Sequence, residues 1–225
     1  MEEKTYKIIN LNLPSGTIWA DKNVGAENPW ENGLYFSWGN VDGHAVDENS
    51  NVTDGYSFDE NTYSTTLGGQ YTGSTLDAEH DAATVNMGDG WRMPTSAETL
   101  ELVENTDHYY IGDDGNIIAG PFNYENKIPK KEGYKKLRSI CFVKKGEEFN
   151  YNDRSNFIEF PFAGICSCSL LDVEYFYGYV WSNSVLDSAT EYARNLILIS
   201  DGRLYGDNCF RFLGHSVRGV TSNNN

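Results

Sequence analysis

The stretch from residue 195 to residue 205 reads NLILISDGRLY and contains the strongest local fold signal of the chain. Asp201 and Gly202 form a dipeptide that favours a two-residue hairpin turn of the left-handed type. The apolar run before this dipeptide is typical of a strand. The sequence therefore predicts that residues 196–200 pair with residues 203–205 in an antiparallel hairpin.

Further strands are predicted on both sides of this hairpin. They cover residues 6–13, 17–20, 34–38, 137–143, 157–160, 179–182 and 215–220. Two helices are predicted between them, because Ser74 precedes Asp77 and Thr95 precedes Glu98 at capping-box spacing. Strands at both ends with two helices between them predict an α+β fold. We expect residues 1–225 to form a single domain.

Residues 40–73 are rich in Asn, Asp, Gly, Ser, Thr and Tyr and show little periodicity. They are interpreted as a loop insertion at the surface that is anchored by its aromatic side chains Tyr56, Phe58, Tyr63 and Tyr71.

Three tryptophans, Trp19, Trp91 and Trp181, are expected to be largely buried.

The acidic composition limits the class of partner. The formal net charge of −16 argues against nucleic acid and anionic membrane surfaces, since both require basic patches. Residues 23–91 contain twelve carboxylates and no Lys or Arg, which is interpreted as a solvated surface, with cation binding or charge-selective docking as alternatives. No segment has the roughly 18 apolar residues of a membrane-spanning helix, and no signal-peptide pattern follows the charged start. We therefore expect no membrane insertion. Either a leader has been removed from the chain, or the protein leaves its cell by lysis.

No catalytic or metal-binding motif stands out, so neither an enzyme activity nor a cofactor is expected. A structural calcium ion is an alternative at Asp47, which begins like a calcium loop, although Val52 and Phe58 replace its glycine and closing glutamate. The four cysteines do not make a disulfide framework in a chain of this length and are expected to be small buried hydrophobes: Cys141, Cys166, Cys168 and Cys209.

The C-terminal segment has a restricted amino-acid usage. From Tyr192 onward it contains no Trp, Met, Gln, Lys or Glu, and back to Ser182 only Glu191 breaks this rule. These five amino acids lack a codon of the form NNC, the set reached when the adenines of AAC are randomised. Residues 182–218 thus resemble the variable segment of proteins diversified by retroelements that mutate template adenines. Chance in a short tail is the alternative.

Six phrases along the chain resemble one family in their order. They are LPSGTIWADKNVGA at 13–26, YFSWG at 35–39, LDAEHDAA at 76–83, WRMPT at 91–95, YVWS at 179–182 and GHSVR at 214–218. This combination resembles the Fibrobacter succinogenes major paralogous domain, which is frequent in Bacteroides and their phages. That family is related to the formylglycine-generating-enzyme branch of the C-type lectin fold.

The resemblance implies a C-type lectin-like fold with two helices, paired terminal strands and long loop excursions. It implies a non-catalytic, retroelement-diversified adhesin or phage receptor-binding protein on a virion or cell surface. Its partner would be a protein or glycan receptor on a bacterial surface. The implied ligand-binding residues are Asn183, Arg194, Arg203, Tyr205, Asp207, Asn208, Phe210, Phe212, Leu213 and His215. The implied framework residues are Trp181, Gly202, Gly214, Val217 and Arg218, the last of them tied to a carboxylate.

Several alternatives stay open. Phe210, Phe212 and Leu213 could belong to the core instead of an exposed patch. The chain could be a non-variable structural or assembly module of a virion or cell surface. A formylglycine-generating-type enzyme is less favoured, because Cys166 and Cys168 lie too early and too close together to match the reactive pair of that family. No sequence feature indicates the oligomeric state.

Overall fold

The computed structural model describes residues 5–88, 90–122 and 136–222. The helices are α1 (Glu60–Tyr63), α2 (Leu67–Gln70), α3 (Ala82–Met87) and α4 (Ser96–Glu104). The strands are β1 (Ile8–Ile9), β2 (Thr17–Ala20), β3 (Tyr35–Phe36), β4 (Thr106–Gly112), β5 (Ile117–Phe122), β6 (Leu137–Lys144), β7 (Phe157–Pro161), β8 (Ile165–Ser167), β9 (Leu170–Asp172), β10 (Tyr177–Leu186), β11 (Ala189–Ile199), β12 (Leu204–Phe210), β13 (His215–Ser216) and β14 (Val220–Ser222).

The described part of the chain is mostly β, with 41% strand, 11% helix and four helices arranged beside several sheets. The predicted α+β, C-type lectin-like fold with two helices is therefore wrong. Two of the four helices, α1 and α2, are single turns of four residues within the segment 40–73. Strands β4, β5, β8 and β9 were not predicted, and β10, β11 and β12 are longer than their sequence signals indicate. The strands predicted at 6–13 and 34–38 are shorter, since only Ile8–Ile9 and Tyr35–Phe36 pair there.

The first predicted helix begins later than its sequence signal. Asp81, and not Ser74, caps α3. The Ser74 carbonyl instead accepts a hydrogen bond from the Val185 amide at 3.0 Å, and the Leu76 amide donates to the Asn183 carbonyl at 2.9 Å. The chain around residue 75 is thus held extended beside the end of β10. A tertiary contact overrides the local capping signal here.

The second predicted helix is confirmed. Thr95 caps α4 and forms a reciprocal capping box with Glu98. The Glu98 carboxylate also accepts hydrogen bonds from Arg92 at 2.6 Å and from the Thr17 hydroxyl at 2.7 Å. Burial opposes ionisation of Glu98, but these hydrogen bonds and the nearby positive charge outweigh it and lower its pKa to about 2.

Two larger sheets enclose the main core. One has five strands in the order β12-β11-β10-β13-β3, and the other has four in the order β5-β4-β6-β7. Side chains from both sheets and from α4 meet in one apolar cluster, which includes Leu102, Phe142, Phe160 and Leu196. A third sheet, β1-β2-β14, places strands from the two ends of the chain side by side.

The structure confirms the predicted burial most clearly for two of the three tryptophans. Trp19 and Trp181 are fully buried, and the Trp181 indole donates a hydrogen bond to the Phe36 carbonyl at 2.7 Å. Trp91 is of intermediate burial and thus less enclosed than the other two. Trp38 is fully buried and belongs to the same core cluster as Trp181.

Arg218 is fully buried and connects three parts of the chain. Its guanidinium donates to the Asn23 side-chain oxygen at 2.8 Å, to the Ala20 carbonyl at 3.0 Å and to the Glu159 carbonyl at 2.9 Å. The predicted carboxylate partner is therefore wrong, since the acceptors are amide and carbonyl oxygens.

Candidate binding surface

The hairpin predicted from Asp201 and Gly202 is present as β11–β12, and β12 is an edge strand of the five-stranded sheet. The Gly202 amide donates to the Ile199 carbonyl at 3.0 Å, and the Ile199 amide donates to the Arg203 carbonyl at 2.9 Å. The connection is thus a three-residue loop with one positive φ, 94° at Gly202, and not the predicted two-residue turn.

The pairing register divides the predicted surface residues between two faces of the sheet. Opposite residues of an antiparallel pair lie on the same face, and neighbours along a strand alternate. Tyr205 lies opposite Ile197 on β11, whereas Phe210 lies opposite Tyr192 five residues further along β12. Tyr205 and Phe210 therefore point to opposite faces. We name these the Tyr205 face and the Phe210 face.

The Tyr205 face includes Asp207, which lies opposite Asn195, and two tyrosines of β10 that sequence reasoning missed. Tyr179 lies opposite Ile197, and its ring stacks on that of Tyr177 with centroids 6.0 Å apart. Burial raises the pKa of Tyr179, and the nearby Cys209, Tyr177, Tyr205 and Asp207 raise it further. The face thus displays three neighbouring tyrosines, of which Tyr205 is 38% exposed.

The Phe210 face is more apolar at its outer end. Phe210 is 41% exposed and stacks on Tyr192 at 4.4 Å and on Phe212 at 5.2 Å between ring centroids. Arg194 and Asn208 lie opposite each other on this face, one pair closer to the hairpin loop. Tyr192 is a third aromatic residue that the sequence-based set omits. These rings form an exposed stack of a kind often found at protein interfaces.

Exposure separates the ten predicted residues into three groups. The exposed ones are Arg203, Tyr205, Asp207 and Phe210; the half-buried ones are Arg194, Asn208, Phe212 and Leu213; the buried ones are Asn183 and His215. The Arg203 guanidinium pairs with the Asp201 carboxylate at 2.8 Å, which fixes it beside the hairpin loop.

The placement of Asn183 and His215 on the binding surface is therefore wrong. Asn183 exchanges backbone hydrogen bonds with Pro94 and Leu76, which cover it. His215 lies in β13, where its ring stacks on Trp181 at 3.7 Å. Burial holds the pKa of His215 well below its ordinary value. Both residues belong to the framework beneath the hairpin.

Arg211 is a framework residue that sequence reasoning missed. It is buried, donates to the Gly68 carbonyl at 2.7 Å and to the Tyr71 carbonyl at 3.0 Å, and lies 4.6 Å from the Trp38 ring. It thus connects the end of the hairpin to the segment 40–73, in which Phe58 and Tyr63 are also buried. No local pattern could reveal this, because the acceptors lie far away in sequence.

The described residues contain no cluster of three or more His, Cys, Asp or Glu side chains arranged to hold a metal ion. Asp47, the first acidic residue of the calcium-like loop, forms hydrogen bonds within the loop. The Asp47 carboxylate accepts hydrogen bonds from the amides of Asn49 and Asn51, both at 2.9 Å, and so closes a local turn. The cysteines Cys141 and Cys166 are buried as expected, whereas Cys168 is exposed.

Comparison of this chain with protein-family models, with curated proteins and with solved structures finds no significant match. Of the helices in the described ranges, none is long and apolar enough to cross a membrane.

Proposed function

We propose that this chain is a non-catalytic ligand-binding protein whose C-terminal hairpin is diversified by a retroelement. It acts as an adhesin or phage receptor-binding protein on a virion or cell surface, and it binds a protein or glycan receptor on a bacterial surface. The proposal rests on the restricted residue usage of the C-terminal segment and does not use the family's fold, which the strand content contradicts.

The observation that carries the proposal is the exposure of large side chains on an edge strand within that segment. Tyr205 and Phe210 are exposed on β12, whereas Leu196 and Leu198 on the paired strand are buried. Exchange of the exposed side chains leaves the core contacts of the hairpin in place. A rigid framework with exchangeable surface residues is the arrangement that diversified binding proteins need.

Tyrosine and phenylalanine also suit recognition energetically. Aromatic side chains supply large contact areas at a low cost in side-chain entropy, and they dominate many interfaces. Exposed aromatic rings without a partner would reduce solubility. Their presence on both faces of β12 supports a binding role for the hairpin edge.

A genomic observation tests the diversification. We expect a reverse-transcriptase gene near the coding sequence and a second copy of the segment that encodes residues 182–218, differing mainly at adenines. Related isolates should differ at exposed positions such as Tyr205 and Phe210 and agree at Trp181. Invariance of the exposed positions across isolates would instead favour a structural or assembly module.

A binding experiment tests the surface. Fluorescently labelled protein is added to a panel of intact bacterial cells, including Bacteroides strains, and cell-bound fluorescence is measured. We expect the double variant Tyr205→Ala, Phe210→Ala to bind the recognised strain at least about tenfold more weakly. A loss of this size is typical when one anchoring side chain of an interface is truncated. The matched control is Leu67→Ala, an exposed residue of α2 outside the hairpin, which should bind like the parent. Equal losses in both variants would argue against the hairpin as the binding site.

A further inference from the structure

A groove of about 550 Å³ lies outside the C-terminal hairpin. Its lining includes Trp30, Asn32, Lys136, Arg138, Glu174 and Tyr175, and no lining residue falls within the segment 182–218. A volume of roughly 300–1,000 Å³ is typical of small-ligand sites, so the groove is large enough for an amino acid or a dipeptide.

Two cations line the groove from the start of β6. Lys136 and Arg138 are two residues apart on an extended segment, so their side chains lie on the same face of that segment. The Arg138 guanidinium forms a salt bridge with the buried carboxylate of Glu159, with 3.1 Å between nitrogen and oxygen, which fixes its position. The Lys136 side chain is 54% exposed, and its ammonium group lies 3.7 Å from the Asp113 carboxylate. A surface pair of this kind is weak, so Lys136 can bind a ligand carboxylate at little cost.

Besides Asp113, the carboxylates of Glu31 and Glu174 line the same groove from two further loops. One Glu174 oxygen accepts a hydrogen bond from the Asn32 side chain at 2.7 Å. The Glu31 carboxylate is satisfied within its own turn, because it accepts from the amides of Glu27 at 2.8 Å and Asn28 at 3.1 Å. The second oxygen of Glu174 accepts no hydrogen bond from the residues that the structure describes. Of these two carboxylates, Glu174 is thus the one with acceptor capacity left for a ligand, whereas Asp113, the third in the lining, faces Lys136 at 3.7 Å.

The loop that holds Glu174 and Tyr175 is strained. Val173 and Tyr175 have φ angles of 50° and 67°, a region that a β-branched residue such as valine rarely adopts. The conformation is held by hydrogen bonds from the Tyr175 amide to the Phe162 carbonyl at 2.8 Å and from the Tyr177 amide to the Val173 carbonyl at 3.0 Å. Strained backbone held in this way is concentrated at ligand and active sites.

Aromatic rings complete the walls. The Tyr175 ring already accepts a cation, since the Lys136 ammonium lies 3.8 Å from its centroid. Trp30 is 36% exposed, and its ring lies 5.3 Å from the guanidinium groups of both Arg138 and Arg154. These rings offer apolar surface beside the charged groups, which suits the side chain of a small ligand.

The charges of the lining are almost balanced and come from different elements. Lys136 and Arg138 supply two positive charges against three negative charges from Glu31, Asp113 and Glu174. A phosphate or polyanion would meet net repulsion, which the overall charge of −16 increases. A ligand with only a positive charge would be repelled by Lys136 and Arg138. A ligand with one positive and one negative group matches both sides.

We propose that this groove is a second ligand site, which binds a small zwitterion of the α-amino-acid class. The ligand carboxylate lies against Lys136 and Arg138, its ammonium group against Glu174, and its side chain against Trp30 and Tyr175. The site is independent of the C-terminal hairpin and of the function proposed for it.

Titration calorimetry with the full chain tests the proposal. The probes are the common L-amino acids, and L-phenylalanine is compared with 3-phenylpropanoate and 2-phenylethylamine, which each lack one of its two charges. We expect at least one amino acid to bind with a Kd below about 1 mM, and each one-charge analogue of it at least about tenfold more weakly. Absence of binding by every amino acid at about 10 mM, or equal binding of an analogue, would overturn the proposal.

Variants locate the binding within the groove. Glu174→Gln keeps an acceptor for Asn32 but removes the charge, and Lys136→Gln removes the ammonium group. Each should weaken amino-acid binding about tenfold without a change in melting temperature. The matched control is Lys144→Gln at the opposite end of β6, which should bind like the parent. Binding that survives both groove substitutions would place the ligand elsewhere and contradict the assignment.

Discussion

The imidazole of His215 stacks on the indole of Trp181, with ring centroids 3.7 Å apart and planes inclined by 19°. The Tyr179 ring also contacts the imidazole, with centroids 5.1 Å apart, and the histidine has no exposed surface. A histidine enclosed in this way is held neutral, because burial disfavours its charged form. The C-terminal segment therefore contains buried framework residues such as His215 only a few positions away from exposed residues such as Phe210.

Acid should destabilise this protein through its buried histidines. Burial lowers the pKa of His108 to about 4, and that of His215 also falls well below its ordinary value. The unfolded chain takes up these protons below about pH 6.5, whereas the folded chain does not. The contribution of the histidines should be constant above about pH 6.5, and stability should fall as the pH decreases below it. At about pH 5, His108 alone should lower the free energy of unfolding by about 2 kcal/mol.

Urea unfolding at about pH 7.5 and about pH 5 checks this expectation, with His108→Gln as the comparison variant. The variant should lose part of the pH dependence even if its stability at neutral pH is lower. The window separates the histidines from Glu98, whose pKa of about 2 makes its contribution disappear only at more acidic pH. Equal stability of the parent at both pH values would show that the histidines are not held neutral.

Trp181→Ala should destabilise the fold by about 3–5 kcal/mol, the usual cost of truncating a large core aromatic residue. Its side chain is fully buried, and its indole bonds to the Phe36 carbonyl. Trp91→Ala should cost clearly less, since Trp91 is half-buried. Thermal and urea unfolding of the two variants give the comparison. An equal loss in both would mean that Trp91 is as well packed as Trp181.

The exposed aromatic residues of β12 should contribute little to stability. Tyr205→Ala and Phe210→Ala together should change the free energy of unfolding by about 1 kcal/mol or less, as is usual for surface substitutions. Leu198→Ala, on the paired strand of the same hairpin, should cost about 2–5 kcal/mol because Leu198 is fully buried. A large loss in the double variant would place its rings in the core and remove the candidate surface.

Removal of the α4 cap should have a local and moderate effect. Thr95→Ala deletes the hydroxyl that accepts a hydrogen bond from the Glu98 amide, and we expect a loss of about 1 kcal/mol. Thr95→Ser retains the hydroxyl and should restore most of the stability. Urea unfolding measures both, and similar losses in the two variants would mean that the methyl group, and not the cap, matters.

The sequence alone determined those features whose interactions lie within a few residues. The capping box of Thr95 and Glu98 and the hairpin at Asp201 and Gly202 were predicted in the right places for this reason. The usage of amino acids in the last segment is likewise a property of the sequence. Its interpretation as a diversified surface stays a prediction.

Only the tertiary structure decided which side chains are exposed and which distant ones meet. Ser74 was expected to start a helix, yet pairing with Val185 keeps it extended. His215 and Tyr205 looked equivalent in sequence, but one packs on Trp181 and the other lies at the sheet edge. The groove likewise brings together loops far apart in the chain. The physical reason is that burial depends on how the sheets and loops pack together, which the spacing of residues along one strand does not specify.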